Sequence, residues 1–253
     1  MTEPIKPQKT ASSRQKIRKW LLVLSFVLLP VTLVYISPII ILMGATEGVA
    51  TGSMLLFIAN FFLSLFVARL WCGWLCPMGA WQEICSAVMK HTVRDGWRNS
   101  VKYGVTILWL AVLAYLFIGA GGIRAIDPFY STDHGLSITS LAPLMVVIVI
   151  FLIIFAIGYF MGRRGFCHVF CPVAALMITG RKIRNLVGWP ALQLGADASR
   201  CIDCMKCSKE CPMGLDVNGM VRKGELENPN CILCASCADA CPQGAITYGI
   251  NSR

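Results

Sequence analysis

Long apolar runs alternate with short polar stretches over the first 180 residues, after which the pattern turns to short segments rich in cysteine, glycine and charge. Trp20 to Met43 is long enough to cross about 30 Å of hydrocarbon as a helix. Pro30 is expected to kink that run and Pro38 to mark its far end. Ser53 to Leu70 predicts a second span, with Asn60 as its strongly polar interior group and Arg69 at its inner end. Tyr103 to Ile118 predicts a third, fading through Gly119, Gly121 and Gly122, and Leu141 to Phe160 a fourth. Residues 1–19 are polar and basic and read as a mostly disordered tail. The first apolar run exceeds a signal-peptide core and lacks a small-x-small cleavage site, so it reads as a span.

Composition agrees with a membrane protein. Hydrophobic residues make up 56% of the 253 residues and charged ones 14%, against about 25% in ordinary soluble domains. The net charge of +10 lies almost wholly before residue 200, because the remainder has five Lys and Arg against six Asp and Glu. Lys and Arg also fix an orientation. Six lie in the tail, five in 69–102 and six in 162–200, whereas the outer loops together hold Arg124 alone. Both termini and every cysteine therefore belong on the cytoplasmic side of a bacterial inner membrane, in a multi-pass protein. Thiols awaiting metal must stay reduced, which points to the same side. No nucleic-acid motif is present.

The C-terminal cysteines carry the clearest chemistry. They read Cys201-x2-Cys204-x2-Cys207-x3-Cys211-Pro212 and Cys231-x2-Cys234-x2-Cys237-x3-Cys241-Pro242. Three thiolates at this spacing hold three corners of an iron–sulfur cube, and the fourth cysteine of each run serves the other cluster. One [4Fe–4S] cluster is therefore assigned Cys201, Cys204, Cys207 and Cys241. The second takes Cys231, Cys234, Cys237 and Cys211. Zinc sites normally use cysteine pairs with a longer gap, and disulfide frameworks need no triplets. This stretch resembles bacterial two-cluster ferredoxin domains over about residues 199–250.

The membrane part reads as doubled. The second and fourth spans both end in Cys-x3-Cys-Pro, at Cys72/Cys76/Pro77 and Cys167/Cys171/Pro172. The first and third end outside at Ser37-Pro38 and Asp127-Pro128. Two parallel helical hairpins related by an axis along the membrane normal are expected. Cysteines at i and i+4 share one helix face. Two such pairs brought together supply four thiolates. Cys72, Cys76, Cys167 and Cys171 then form a third metal or iron–sulfur centre, a redox thiol or docking element, or plain packing. His168 is read as a ligand, a hydrogen-bond donor or an interfacial polar residue, and Cys85 as a small buried one.

The expected fold class is a mostly α membrane protein. It has four transmembrane helices in two repeated hairpins, plus a small C-terminal α+β two-cluster ferredoxin domain. The divisions are a cytoplasmic basic tail (1–19), a four-helix transmembrane domain with both Cys-x3-Cys-Pro motifs (20–180), a linker (181–198) and the 2[4Fe–4S] ferredoxin domain (199–253). This combination resembles the NapH/MauN group over nearly the whole chain. Its membrane core is also similar to the C-terminal part of NosR-type and the core of CcoG-type proteins. The early first span and the end at Arg253 are read as favouring the NapH/MauN side.

That resemblance implies a quinol dehydrogenase component of a respiratory system of the periplasmic nitrate reductase kind. The implied substrate is the membrane quinone pool. The implied partners are a ferredoxin or cytochrome subunit and a terminal reductase or dehydrogenase. The alternative is an assembly or regulatory factor supplying electrons for metal-centre maturation, as the NosR and CcoG likeness implies. Haem is not expected, since His91, His134 and His168 all lie outside the spans. No Gly-x-Gly-x-x-Gly fingerprint follows a strand. No catalytic residue is assigned. Quinol oxidation needs a proton acceptor, and Asp127 and His134 are the candidates. Glu47 and Asp133 on the outer side, and Glu83, His91 and Asp95 on the inner side, are the other ionisable groups.

Overall fold

A computed structural model describes residues 11–86, 88–89, 91–93, 96–132, 136–138 and 140–251. His134, Asp133 and Asp95 lie outside them. The first apolar run is three helices: α1 (Ala11–Val27), α2 (Leu29–Ile36) and α3 (Pro38–Thr46). Pro30 and Pro38 each sit in the first turn of the helix they begin, where a missing N–H costs nothing. The chain bends by 86° between α1 and α2, at the place where a kink at Pro30 is expected, so the first run is a broken span rather than one continuous helix. Phe26, Trp81 and Phe151 pack together at that bend, and the Trp81 indole N–H donates to Phe151 O at 3.2 Å.

Strand β1 (Val49–Thr51) leads into α4 (Gly52–Val67), whose first turn is capped by the Thr51 hydroxyl. Then follow α5 (Leu70–Trp74), α6 (Pro77–Cys85) and α7 (Arg98–Gly119). Strand β2 (Ala125–Asp127) pairs in parallel with β1. Next come α8 (Leu141–Met161), α9 (Gly165–Val169) and α10 (Pro172–Val187). Two helices, α7 and α8, are long and apolar enough to cross a membrane. The α1–α2 pair is a third candidate if taken as one broken span, and α4 is apolar but shorter. Exposed positions on α7 and α8 include Ile107, Leu108, Ile118, Leu152 and Phe160, a composition suited to lipid.

The segments around the two Cys-x3-Cys-Pro motifs repeat. In each, a long helix is followed by a five-residue helix, then a cysteine cap, then a helix opened by proline. Leu75 N–H bonds Trp71 O and Phe170 N–H bonds Phe166 O, both at 3.0 Å. Helix α10 crosses α4 closely: a Cβ on Gly180 would lie 3.0 Å from Phe61 O and would displace the Ser64 hydroxyl.

The C-terminal unit contains β3 (Ala191–Ala196), α11 (Lys206–Lys209), α12 (Val217–Arg222), α13 (Ser236–Ala240) and β4 (Ile246–Asn251). Strands β3 and β4 are antiparallel, Ala191 opposite Asn251 and Ala196 opposite Ile246. Residues 181–198, expected as a linker, are therefore structured. They finish α10 and supply the first strand of the ferredoxin sheet, with Leu194 buried. One hydrophobic core runs from Ala68, Cys72 and Met177 into Leu215, Val221, Ile232 and Ile246. The ferredoxin unit is thus built onto the membrane part.

The basic tail needs a further correction. Residues 11–19 belong to α1, and the end of that helix is tied down. Gln15 Nε2 donates to Cys234 O at 2.9 Å and to Asp239 Oδ2 at 2.6 Å. Arg14 pairs with Asp239 at 3.3 Å, and Arg18 is buried at 3% exposure.

Candidate iron–sulfur and thiol sites

A small pocket is lined by Cys201, Cys204, Cys207 and Cys241, together with Ile202, Asn218 and Val221. A second is lined by Cys211, Cys231, Cys234 and Cys237, with Met213, Leu226 and Ile232. These quartets coincide with the crossed grouping, in which Cys211 and Cys241 change places. Sequence dictates the local wrapping. Asp203, Met205, Leu233 and Ala235 take positive φ, which curls each cysteine triplet around its cavity. Among the described residues, no three His, Cys, Asp or Glu side chains converge at single-ion range. Each quartet surrounds a space, a geometry that fits a cluster. Ala245 N–H points at Cys241 Sγ at 3.3 Å, a donor suited to a thiolate.

The quartets differ in exposure. Cys211, Cys234 and Cys237 are buried, whereas Cys204 is exposed. The difference follows from docking. A Cβ on Gly73 would lie 2.5 Å from Ile232 O, so glycine is required where the first motif meets the second cysteine triplet. The next residue, Trp74, donates its indole N–H to Leu233 O at 3.1 Å. In the second motif His168 takes the place of Gly73, and its Nε2 lies 3.1 Å from Met213 O. Lys102 Nζ donates to Asn230 Oδ1 at 2.6 Å. Both motifs thus grip backbone flanking the Cys211/Cys231/Cys234/Cys237 quartet.

His168 is 1% exposed, and burial, then the charges of Arg69 and Lys102, push it down to about 3. It is neutral. Its Nε2 faces the Met213 carbonyl and its Nδ1 lies 3.2 Å from Asn99 Oδ1. His168 straps the ferredoxin unit to α7.

Cys72, Cys76, Cys167 and Cys171 form one electrostatic group. Burial pushes the Cys171 thiol up, and Cys167, Cys72 and Cys76 push it further. Burial also raises Cys72, while the neighbouring Arg69 pulls it back. Cys72 Sγ touches Met177 Sδ at 3.6 Å, and Gln82 Nε2 lies 3.1 Å from Cys167 Sγ.

Buried charge surrounds this group. Glu83 takes both Arg18 and Arg164, which are 3% and 1% exposed, while its own side chain is 19% exposed. Arg18 Nη1 also donates to Gly73 O at 3.2 Å, and Arg164 Nη1 to Cys72 O at 3.0 Å. Burial works to raise Glu83, but the two guanidiniums outweigh it and hold the carboxyl below its ordinary range. Arg69 is 0% exposed, and among the described residues its three guanidinium nitrogens have no hydrogen-bond partner. An uncompensated buried charge costs several kcal/mol. Sequence reading missed Arg69 and Arg164 as a pair. The available signal was their shared place, three residues before the first cysteine of each motif.

Asp127 lies elsewhere. It is exposed on β2, opposite Thr51, and its Oδ1 accepts the Phe129 N–H at 2.9 Å in a local turn. The 16-residue α4, about 24 Å long, stands between this ladder and Cys72. Glu47 and His91 are exposed.

A 4Fe-4S dicluster domain model matches residues 200–246, a 4Fe-4S binding domain model residues 49–94, and a second 4Fe-4S dicluster domain model residues 165–215. YccM of Escherichia coli K12 is 25% identical over 193 residues, which is 73% of this chain and 52% of that protein. The methylamine utilization ferredoxin-type protein MauN of Methylobacillus flagellatus is 26% identical over 178 residues, 66% of this chain and 59% of that protein. Protein RdxB of Cereibacter sphaeroides is 30% identical over 205 residues, 64% of this chain and 40% of that protein. The chain spans about half the length of these relatives. No solved structure matches it. Each of the three cysteine regions falls within a 4Fe-4S match, and the chain is similar to iron–sulfur electron-transfer proteins of the YccM, MauN and RdxB kind.

Proposed function

We propose that this protein oxidises a membrane quinol and passes the electrons to a partner redox protein of a respiratory system of the periplasmic nitrate reductase kind. One observation carries the reading. The quartet Cys211/Cys231/Cys234/Cys237 is gripped by both membrane motifs, while the quartet Cys201/Cys204/Cys207/Cys241 opens at Cys204. An inner, water-excluded site against the membrane and an outer, accessible one suit a path from a membrane donor to a docked partner. Clusters bound there would supply one-electron carriers. The polypeptide fixes the spacing between the two quartets and seals the inner one. A quinol gives up two electrons and two protons in becoming a quinone, so both electrons leave through the protein and both protons to water. In this reading four spans cross a bacterial inner membrane, with both termini cytoplasmic, and the partner is a ferredoxin or cytochrome subunit.

The test is reconstitution in liposomes with menaquinol or ubiquinol, following bleaching of the iron–sulfur absorbance. Bleaching within turnover time supports quinol oxidation. No bleaching by either quinol, together with rapid reduction by a soluble cytoplasmic donor, reverses the flow. The maturation-factor reading would then replace this one.

A further inference from the structure

Arg69 caps α5 at its N-terminal end, three residues before Cys72, and Arg164 holds the equivalent place before Cys167. The two are treated differently. Arg164 bonds Cys72 O and Glu83, whereas Arg69 has no hydrogen-bond partner among the described residues. Arg18, Arg69 and Arg164 are all buried, and Glu83 is the carboxylate bonded to Arg18 and Arg164. Positive charge is therefore in excess beside the two motifs. Arg69 lies close enough to the Cys72 thiol for its charge to act on it. Cys72 in turn belongs to the group it forms with Cys76, Cys167 and Cys171.

Four neutral thiols would leave the guanidinium without a counter-charge. Four thiolates on an iron–sulfur cluster carry a net negative charge that grows by one on reduction. We propose that Arg69 is the counter-charge of a third, anionic redox centre held by Cys72, Cys76, Cys167 and Cys171, and that it raises the reduction potential of that centre. This rests on reading the two motifs as one electron-transfer site. Arg69 is a positioning residue, acting through its charge. A cluster held there would pass electrons one at a time: the two that a quinol releases would each go on in turn to the Cys211/Cys231/Cys234/Cys237 quartet, and the quinol's two protons would go to water. A fixed positive charge favours the more negative, reduced state.

The test uses the full chain in detergent, with iron content and spectroscopically monitored redox titrations. The proteins are wild type, Arg69→Gln, Arg69→Lys and the quadruple change of Cys72, Cys76, Cys167 and Cys171 to serine. The quadruple variant is expected to lose one centre and about four irons while keeping the two C-terminal clusters. Arg69→Gln is expected to lower the potential of that same centre by about 59 mV or more, a tenfold shift in its one-electron equilibrium, with Arg69→Lys close to wild type. Loss of the centre in Arg69→Gln with retention in Arg69→Lys would support the same role. An unchanged potential in Arg69→Gln, or a shift confined to the C-terminal clusters, would overturn it. So would loss of the centre in both variants, which marks a packing role. Wild-type iron in the quadruple variant instead removes the reading beneath the proposal.

Discussion

Cys72 Sγ lies 3.6 Å from the Sδ of Met177, six residues past Cys171 on the other motif. The reciprocal contact exists too. Gln82, six residues past Cys76, reaches Cys167 Sγ at 3.1 Å. Each motif's leading cysteine is thus seated on the helix that follows the other motif, so the pairs interlock as one unit. Groups that act as a unit lose function together. Single serine changes at Cys72, Cys76, Cys167 or Cys171 should each reduce quinol-driven electron transfer nearly as much as all four combined. Stopped-flow reduction of the C-terminal clusters measures this. Four additive, partial losses would show independent roles.

The cavities dictate a crossed pattern of damage. Cys211 follows the first cysteine triplet in sequence but lines the cavity of the second, and Cys241 does the reverse. Cys211→Ser should remove the cluster assigned to Cys231, Cys234 and Cys237, and Cys241→Ser the other. Each variant should retain about four of the eight C-terminal irons. Distinct electron paramagnetic resonance signals for the two losses are expected. The same signal disappearing in both would contradict the crossing.

Glu83 ties α1 to the turn before the second motif, and its carboxylate is the shared partner of two buried guanidiniums. Removing one partner of a buried charge set typically costs about 3–5 kcal/mol. Glu83→Gln should therefore melt well below wild type, by roughly 10 °C for a chain of this size. The sign of the pH dependence follows from the depressed carboxyl. Its stabilisation is fully present above the ordinary carboxylate value of about 4.3 and is lost as pH falls through the lower folded value. The gap between wild type and Glu83→Gln should hold at neutral pH and close in acid. A gap that widens on acidification would refute the assignment.

What could be read from sequence depended on how local the cause was. Cysteine spacing and the prolines after Cys211 and Cys241 act within a few residues, so the grouping of the C-terminal cysteines was legible, whereas the helices that open at Pro77 and Pro172 were not read. Pro30 was legible as a break, but the 86° bend depends on Phe26 meeting Trp81 and Phe151 far along the chain. The tail looked disordered because the partners of Gln15 are Cys234 and Asp239, more than 200 residues away. Strand β3 was hidden for the same reason, since its partner is at the C-terminus. Arg69 and Arg164 were visible, but arginine at the inner end of a span reads first as a topological charge. Only their complete burial gives them another meaning.

Gly73 offers the most direct test of the contact between the membrane part and the ferredoxin unit. A methyl group there would lie 2.5 Å from the carbonyl oxygen of Ile232, a backbone atom that cannot swing aside as a side chain would. Ile232 follows Cys231, so any displacement carries the inner quartet away from Cys72 and Cys76. Transfer between the two sites is the step that depends on this spacing, whereas ligation within each quartet does not. Gly73→Ala should keep the iron content and spectra of the C-terminal clusters. It should slow their reduction by quinol at least tenfold, while their reduction by a soluble chemical reductant stays at the wild-type rate. Retained quinol kinetics in a folded Gly73→Ala protein would show that electrons do not enter the ferredoxin unit at this contact.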